Sequence, residues 1–403
     1  MAKSLVISQK TTVLFTWELG SGFGHLGRLL PVMRRLHQLG CRVVLAAVNL
    51  EAAALLPSYV ELLPAPRAAP PSPGVLLRRP ATFADVLFNE GACGDGLLGV
   101  VQAWRGLFQL FRPQVVVHDY SPFALLAMQG LDCAKALLGT GFACPPPSAR
   151  LPDLRDWENQ YRERKAKTEA EVLEALNRQL MAQGQPTLQG VGELSSRVEA
   201  NFLATFAELD HYPDRANATY RGVWPGFDPD QRHRPEWPAG EGKRIFVYLK
   251  PFRGLTRLLS ALERQKLPVL ACIPGGGDYL RSGASSVRVI TQPLDIDSIA
   301  SECDVAILNA GHGSTASVLL AGRPILQLPI NVEQYHTARN TCRLGAGEQV
   351  FLDQDETIIH TLERLLESNE HRLAAADFAR RYQDFDPERA ITNVASEILA
   401  LDS

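Results

Sequence analysis

A short apolar strand that runs into a glycine-rich turn and then an amphipathic helix constrains this chain more than any other feature. Val13-Leu-Phe-Thr-Trp17 leads into Gly20-Ser-Gly-Phe-Gly24. Leu26, Leu29, Leu30, Met33, Leu36 and Leu39 then recur at three- and four-residue steps, the spacing of one buried helix face. Arg28, Arg34, Arg35 and Gln38 fall mainly on the wet side. Gly40 ends the helix, and Cys41-Arg-Val-Val-Leu-Ala-Ala-Val48 reads as a second strand. Strand, turn, helix and strand in this order begin a parallel α/β sheet.

The pattern restarts after the Pro/Gly/Trp-rich stretch 224–242. Arg244-Ile-Phe-Val-Tyr-Leu249 is a strand, 255–265 a helix, and 268–273, 287–290, 305–308 and 324–328 supply further strands. A length of 403 residues exceeds one ordinary core, so two doubly wound α/β domains are expected. The N-terminal one spans 1–223, a linker 224–242, the C-terminal one 243–385, and a last helical segment, 386–403, is expected to pack back on the N-terminal domain. A polar helix is expected over 156–183. The proline-rich loops 64–80 and 144–150 are long for a compact domain and suit the cover of a site.

Composition narrows the partners. Lys and Arg number 41 against 44 Asp and Glu, a net charge of −3, so no basic surplus argues for nucleic acid or an anionic membrane surface. No apolar run is long enough to span a bilayer, and the first residues lack a secretory apolar segment. The seven cysteines are odd in number, scattered and without a CxxC pair, which fits reduced thiols. Neither they nor the nine dispersed histidines cluster as a metal site would. A cytoplasmic protein without metal or bound cofactor is expected.

Four places can carry chemistry. Gly22-Phe-Gly24-His-Leu-Gly27 is formally a GxGxxG, but the second strand ends in Ala46-Ala-Val-Asn49 and Glu51 comes late, so the ribose-binding acid of a dinucleotide fold is half present. His25, where the loop enters the helix, can point over the carboxyl edge of the sheet, where α/β folds bind ligands; it can equally brace the loop. Val115-Val-Val-His-Asp119 is a strand ending on a carboxylate. Asn309-Ala-Gly-His-Gly-Ser-Thr315 joins a strand to a helix whose first turn favours an anion: Gly311 and Gly313 admit close approach, and His312, Ser314 and Thr315 can add donors, unless this is an ordinary capped turn. Glu333-Gln334 follows Pro329, where polar groups can take several hydroxyls or simply face solvent.

The segment 309–347 resembles the donor-binding region of GT-B glycosyltransferases, and among them the nucleotide-sugar enzymes that include the UDP-glucuronosyl, macrolide and plant flavonoid transferases. The resemblance rests on Gly311-His-Gly-Ser-Thr315, Gly322-Arg-Pro324, Pro329 and Glu333-Gln334, with Gly24-His25, Pro31 and Gly40 matching the first loop and helix. It implies two Rossmann-like domains facing across a cleft. It also implies an inverting, metal-independent transfer of a sugar from a UDP- or dTDP-linked donor to a small-molecule hydroxyl or similar nucleophile. By this resemblance His25 is the general base and Asp119 its orienting carboxylate. Gly311 to Thr315 bind the diphosphate with Asn309 and Lys250 beside them, Glu333 and Gln334 hold the sugar, and Pro293, Leu294 and Ser317 lie at the nucleoside. Two positions depart from the pattern: Ser317 stands where a ribose-binding Glu is common, and Asn309 where a His is common. A nucleotide-sugar epimerase, a silent nucleotide-sugar-binding protein and a dinucleotide oxidoreductase are the alternatives.

Overall fold

All six residues of β1 (Thr12–Trp17) are buried, as a central strand covered on both faces requires. The computed structural model describes residues 10–20, 22–68, 78–148, 150–156, 162–212, 215–226, 232–279, 285–292, 294–352 and 354–402. After β1 come α1 (Gly24–Gln38), β2 (Arg42–Ala47), β3 (Val60–Pro64), α2 (Phe83–Asn89), α3 (Leu97–Phe111), β4 (Val115–Asp119), α4 (Pro122–Met128), β5 (Ala134–Gly139), α5 (Arg162–Ala182) and β6 (Ala200–Leu203). The six strands form one parallel sheet of order β3-β2-β1-β4-β5-β6. Leu26, Leu29, Leu30, Met33 and Leu36 are the buried face of α1, the face given by their spacing. The polar helix expected over 156–183 is α5.

The second sheet is built from β7 (Ile245–Tyr248), α6 (Leu255–Arg264), β8 (Val269–Cys272), β9 (Val287–Ile290), α7 (Ile296–Glu302), β10 (Val305–Leu308), α8 (His312–Leu320), β11 (Ile325–Gln327), α9 (Val332–Arg343) and β12 (Gly347–Gln349). Three helices follow: α10 (Asp355–Glu367), α11 (Asn369–Arg381) and α12 (Pro387–Ala400). Its order, β12-β11-β10-β7-β8-β9, is also all parallel and repeats the connectivity of the first. Alternate residues of its strands pack on α6 and α10 on one face and on α7, α8 and α11 on the other. In each sheet the order reverses beside the first strand, between β1 and β4 and between β7 and β10. At such switch points the loops part and leave a crevice at the carboxyl ends of the strands.

The chain divides into two compact units. The first comprises Met1–Thr205, Asp214–Gly222 and Glu388–Ser403, the second Phe206–Pro213 and Val223–Pro387. Two boundaries differ from the sequence reading. Residues 206–213 belong to the second unit because Phe206 is buried there, edge-on to Phe378 at 5.5 Å and 4.2 Å from the Tyr382 ring, aromatic contacts that add about 0.5–1.5 kcal/mol each beyond their area. The described residues of the stretch 224–242 group with the second unit and do not form a separate linker. Trp237 Nε1 donates to Glu302 at 3.0 Å, Arg234 pairs with Glu302 at 2.8 Å, and Arg288 donates to the Glu236 carbonyl at 2.6 Å.

Candidate functional site

In the first unit, parallel register sets Trp17 opposite Asp119, so the loop after β1 and the last side chain of β4 meet at the switch point. His25 is the second residue of α1, and its Nδ1 lies 3.1 Å from Asp119 Oδ2. The imidazole stacks between Trp17 (centroids 5.3 Å apart) and Tyr120 (6.0 Å). Gly20, at φ +86°, makes room for it: a Cβ there would lie 2.6 Å from His25 Nε2. Asp119 is 2% exposed. Burial pushes its carboxyl up, but the neighbouring Arg28 guanidinium and His25 outweigh burial and hold it below its ordinary value. An ionised carboxylate only accepts, so Nδ1 carries the hydrogen, and in the neutral ring the lone pair is on Nε2.

Arg28 is the residue that sequence reasoning missed. The helical period places it on the wet face, yet its Nη1 donates to the same Asp119 Oδ2 at 2.7 Å and its side chain is 14% exposed. The available signal was its i, i+3 spacing from His25, which puts both on one side of the first turns. Glu18, fully buried, was also missed. It accepts from Trp104 Nε1 at 3.0 Å and from the backbone N–H groups of Phe123 (3.0 Å) and Ala124 (3.3 Å) in the first turn of α4. Burial outweighs these donors and raises its carboxyl to about 8. Beside Tyr120 and Ser121, Phe83, Leu87, Leu125, Cys144 and Val191 line a small, largely apolar recess of about 20 Å³. Of the loop 64–80, residues 69–77 lie outside the described residues.

In the second unit the equivalent turn follows β10. Asn309 is buried and fully engaged: Oδ1 accepts from the Lys250 backbone N–H at 2.7 Å, and Nδ2 donates to the Leu328 carbonyl at 2.9 Å. It ties together the ends of β7, β10 and β11, so its amide braces the turn. Ala310 adopts φ +58°, and Gly311 begins α8 without any side-chain cap, leaving the N–H groups of its first turn pointing outward. Gly313 is exposed, and a Cβ there would meet nothing within 4 Å. Ser314 Oγ donates back to the Gly311 carbonyl at 3.0 Å. Thr315 is 0% exposed and accepts from Gln327 Nε2 at 3.2 Å; its hydroxyl faces the core and not the loop's outer side.

The remaining residues named from sequence are placed as follows. Lys250 has an exposed side chain just past β7. His312 is buried, its ring 5.9 Å from that of His211, which in turn is 6.4 Å from His336. Gln334 caps its own helix, Oε1 accepting from Ile330 N–H at 2.9 Å while its N–H donates to Asn331 Oδ1 at 2.9 Å. Glu333, one residue earlier, is half-buried. Ser317 is half-buried in α8. Leu294 is a buried member of the core on the α7–α8 face, and Pro293 lies outside the described residues. Among the described residues no three His, Cys, Asp or Glu side chains are grouped to hold a metal ion, and no helix is long and apolar enough to cross a membrane.

No protein-family model and no curated protein sequence matches the chain. Solved structures do. The glycosyltransferase of kitacinnamycin superposes with a TM-score of 0.71 at 17% identity, over 98% of this chain and 99% of its own. CalG4, the calicheamicin glycosyltransferase, gives 0.70 at 17% identity over 97% and 99%. Glycosyltransferase VinC, solved in complex with dTDP, gives 0.68 at 14% identity over 97% and 99%. Two parallel six-stranded sheets of one strand order, matched over nearly the whole length of each of these proteins, give this chain the GT-B fold.

Proposed function

We propose that the protein is an inverting, metal-independent glycosyltransferase. It moves a sugar from a nucleoside diphosphate donor, UDP- or dTDP-linked, to a hydroxyl of a small-molecule acceptor. The observation that carries this reading is the His25–Asp119 hydrogen bond at the first switch point, in a fold shared with solved glycosyltransferases, among them VinC in complex with dTDP.

The chemistry follows from the placement. Asp119 fixes the Nδ1–H tautomer, so Nε2 accepts the acceptor's proton as its oxygen attacks the anomeric carbon. The bond from that carbon to the diphosphate oxygen breaks in the same displacement, which inverts the centre. The charge of the leaving diphosphate falls to the first-turn N–H groups of α8 and the Lys250 ammonium, which needs no metal ion. The Glu333 carboxylate accepts from sugar hydroxyls, with the Gln334 amide as second partner. The apolar side chains beside Tyr120 offer a contact surface to an acceptor with an apolar body. Asn309 and Thr315 contribute by holding the loop, His312 and Ser317 by their place along α8, and Leu294 by lying near the nucleoside.

The test is a panel of UDP- and dTDP-sugars with hydroxyl-bearing apolar acceptors, product configuration being read by proton NMR with and without a chelator. A glycoside of inverted configuration, formed equally in both conditions, is expected. Retained configuration, or activity that only magnesium or manganese restores, would overturn the mechanism. Nucleotide binding without turnover of any donor would replace it with a binding role.

A further inference from the structure

The carboxylate that orients His25 is shared. Arg28 Nη1 lies 2.7 Å and His25 Nδ1 3.1 Å from the same oxygen, Asp119 Oδ2, and all three side chains are largely buried. A carboxylate paired with a histidine alone does two things: its hydrogen bond sets the tautomer, and its charge raises the proton affinity of the ring. Here a permanent cation already neutralises that charge. The hydrogen bond remains and most of the charge support goes. We infer that Arg28 is a positioning residue: by sharing Asp119 Oδ2 with His25 it takes up much of the carboxylate's charge, so that Asp119 orients the ring while supporting an imidazolium less than it would alone.

Among the described residues, the groups that face His25 are these. On β1 and the loop after it, His25 faces the Trp17 ring and Gly20; on β4 and its turn, it faces Asp119 and Tyr120. Glu18, the next residue after Trp17, is turned into the first turn of α4 and is uncharged near pH 7, because burial raises it to about 8. His118 lies on the opposite face of β4 against Thr16, and burial lowers it to about 3. On α1 itself the charged neighbour is Arg28.

The functional meaning rests on His25 being the base, but the inference is tested without any substrate. Full-length protein carrying histidine labelled with ¹³C in the ring is titrated by NMR, the His25 signal being assigned by its loss in His25→Gln. In Arg28→Met, which keeps length and loses charge, the His25 midpoint should rise by about one pH unit, the scale of a full charge removed at this distance. Arg28→Lys, which restores a cation, should return it most of the way. Asp119→Asn should lower it. An unchanged or lower midpoint in Arg28→Met overturns the inference, and so does Arg28→Lys behaving like Arg28→Met. Should Arg28→Met not fold, the Lys variant against wild type decides: a midpoint displaced upward by as much as a unit would show that the ammonium cannot substitute and that Arg28 acts by shape. If these midpoints behave as stated and no sugar is transferred, the proposed function fails and this inference stands.

Discussion

The two sheets present the same corner twice and fill it with opposite chemistry. In the first unit the chain leaves β4 as Asp119, turns at Tyr120 (φ +49°) and enters α4 after Ser121; in the second it leaves β10 as Asn309, turns at Ala310 (φ +58°) and enters α8 after Gly311. Trp17 pairs with Asp119, and Tyr248 with Leu308, so continuing the register sets Glu18 and Lys250 at matching places. Glu18 reaches into the first turn of α4 and occupies its N–H groups from within. Lys250 points outward and α8 is left uncapped. A helix start closed by the protein's own carboxyl has no room for an outside anion; one left open beside a cation invites it. Likewise Asp119 spends its oxygen on the side chains of His25 and Arg28, whereas Asn309 spends its amide on backbone. Topology supplies the location, and one or two side chains set its chemistry.

The contrast is broken most strongly at His25. His25→Gln keeps a hydrogen-bonding side chain and removes the base, so transfer at saturating donor should fall by about 10²–10⁴-fold while nucleoside diphosphate affinity, measured by calorimetry, stays put. Near-normal transfer would remove His25 from the mechanism. The converse experiment is Lys250→Glu, which writes the first unit's carboxyl into the second at an exposed position. Losing one charge-assisted contact and gaining repulsion should weaken nucleoside diphosphate binding by about tenfold to a hundredfold, with the His25 NMR midpoint unmoved. Unchanged affinity would show that α8 does not hold the diphosphate.

A smaller effect is expected from Gly20→Ala. The left-handed backbone costs an alanine about 1–2 kcal/mol, and the new Cβ would meet His25 Nε2, so denaturant unfolding should register the loss together with reduced transfer and unaltered nucleotide affinity. Full activity would mean that the imidazole does not depend on this seat.

The last effect concerns pH and stability, not transfer. Because the Glu18 carboxyl is raised from 4.5 to about 8 in the fold, the folded state holds its proton where the unfolded chain has released it. That stabilisation is complete below about pH 4.5 and is lost as pH rises through about 8. Thermal unfolding should therefore drop across this window in the wild type and be flatter in Glu18→Gln; equal slopes would place the Glu18 proton elsewhere.

Much of this was legible in the chain itself, for identifiable reasons. β1, α1 and β2 announce themselves because a β-rich apolar run, a helical period and a stopping glycine agree. His25 stands out because it sits where the glycine-rich loop enters α1, and Asp119 because it ends a strand. β5 was not legible: Ala-Lys-Ala-Leu-Leu-Gly is written in helix-forming residues and becomes a strand through its pairing with β4 and β6, a tertiary choice that propensity does not foresee. β12, three residues opening on Gly347, offers no period at all. At the site, periodicity put Arg28 in water because it knows the helix and not the strand end beneath its first turns. The loop 309–315 reads correctly as an open helix start, but whether Ser314 and Thr315 turn their hydroxyls outward depends on Gly311 and Gln327, which only packing brings to them.

The division of the chain has a consequence for how the molecule is made. The polypeptide passes between the two units at 205/206, 213/214, 222/223 and 387/388. The first unit finishes with α12, which buries Ile391, Val394, Ala395 and Ile398, joins Glu397 to Arg221 at 2.8 Å and sets Asp402 against Thr11 at 3.0 Å. During synthesis, then, the unit begun first is completed last: its sheet must wait, with the seat of α12 uncovered, while some 165 residues of the other unit are translated. A fragment cut at residue 222 would carry the His25 corner but lack its closing helix, and a chimaera that exchanges one half for a homologous half would have to carry residues 388–403 with the first unit and 206–213 with the second.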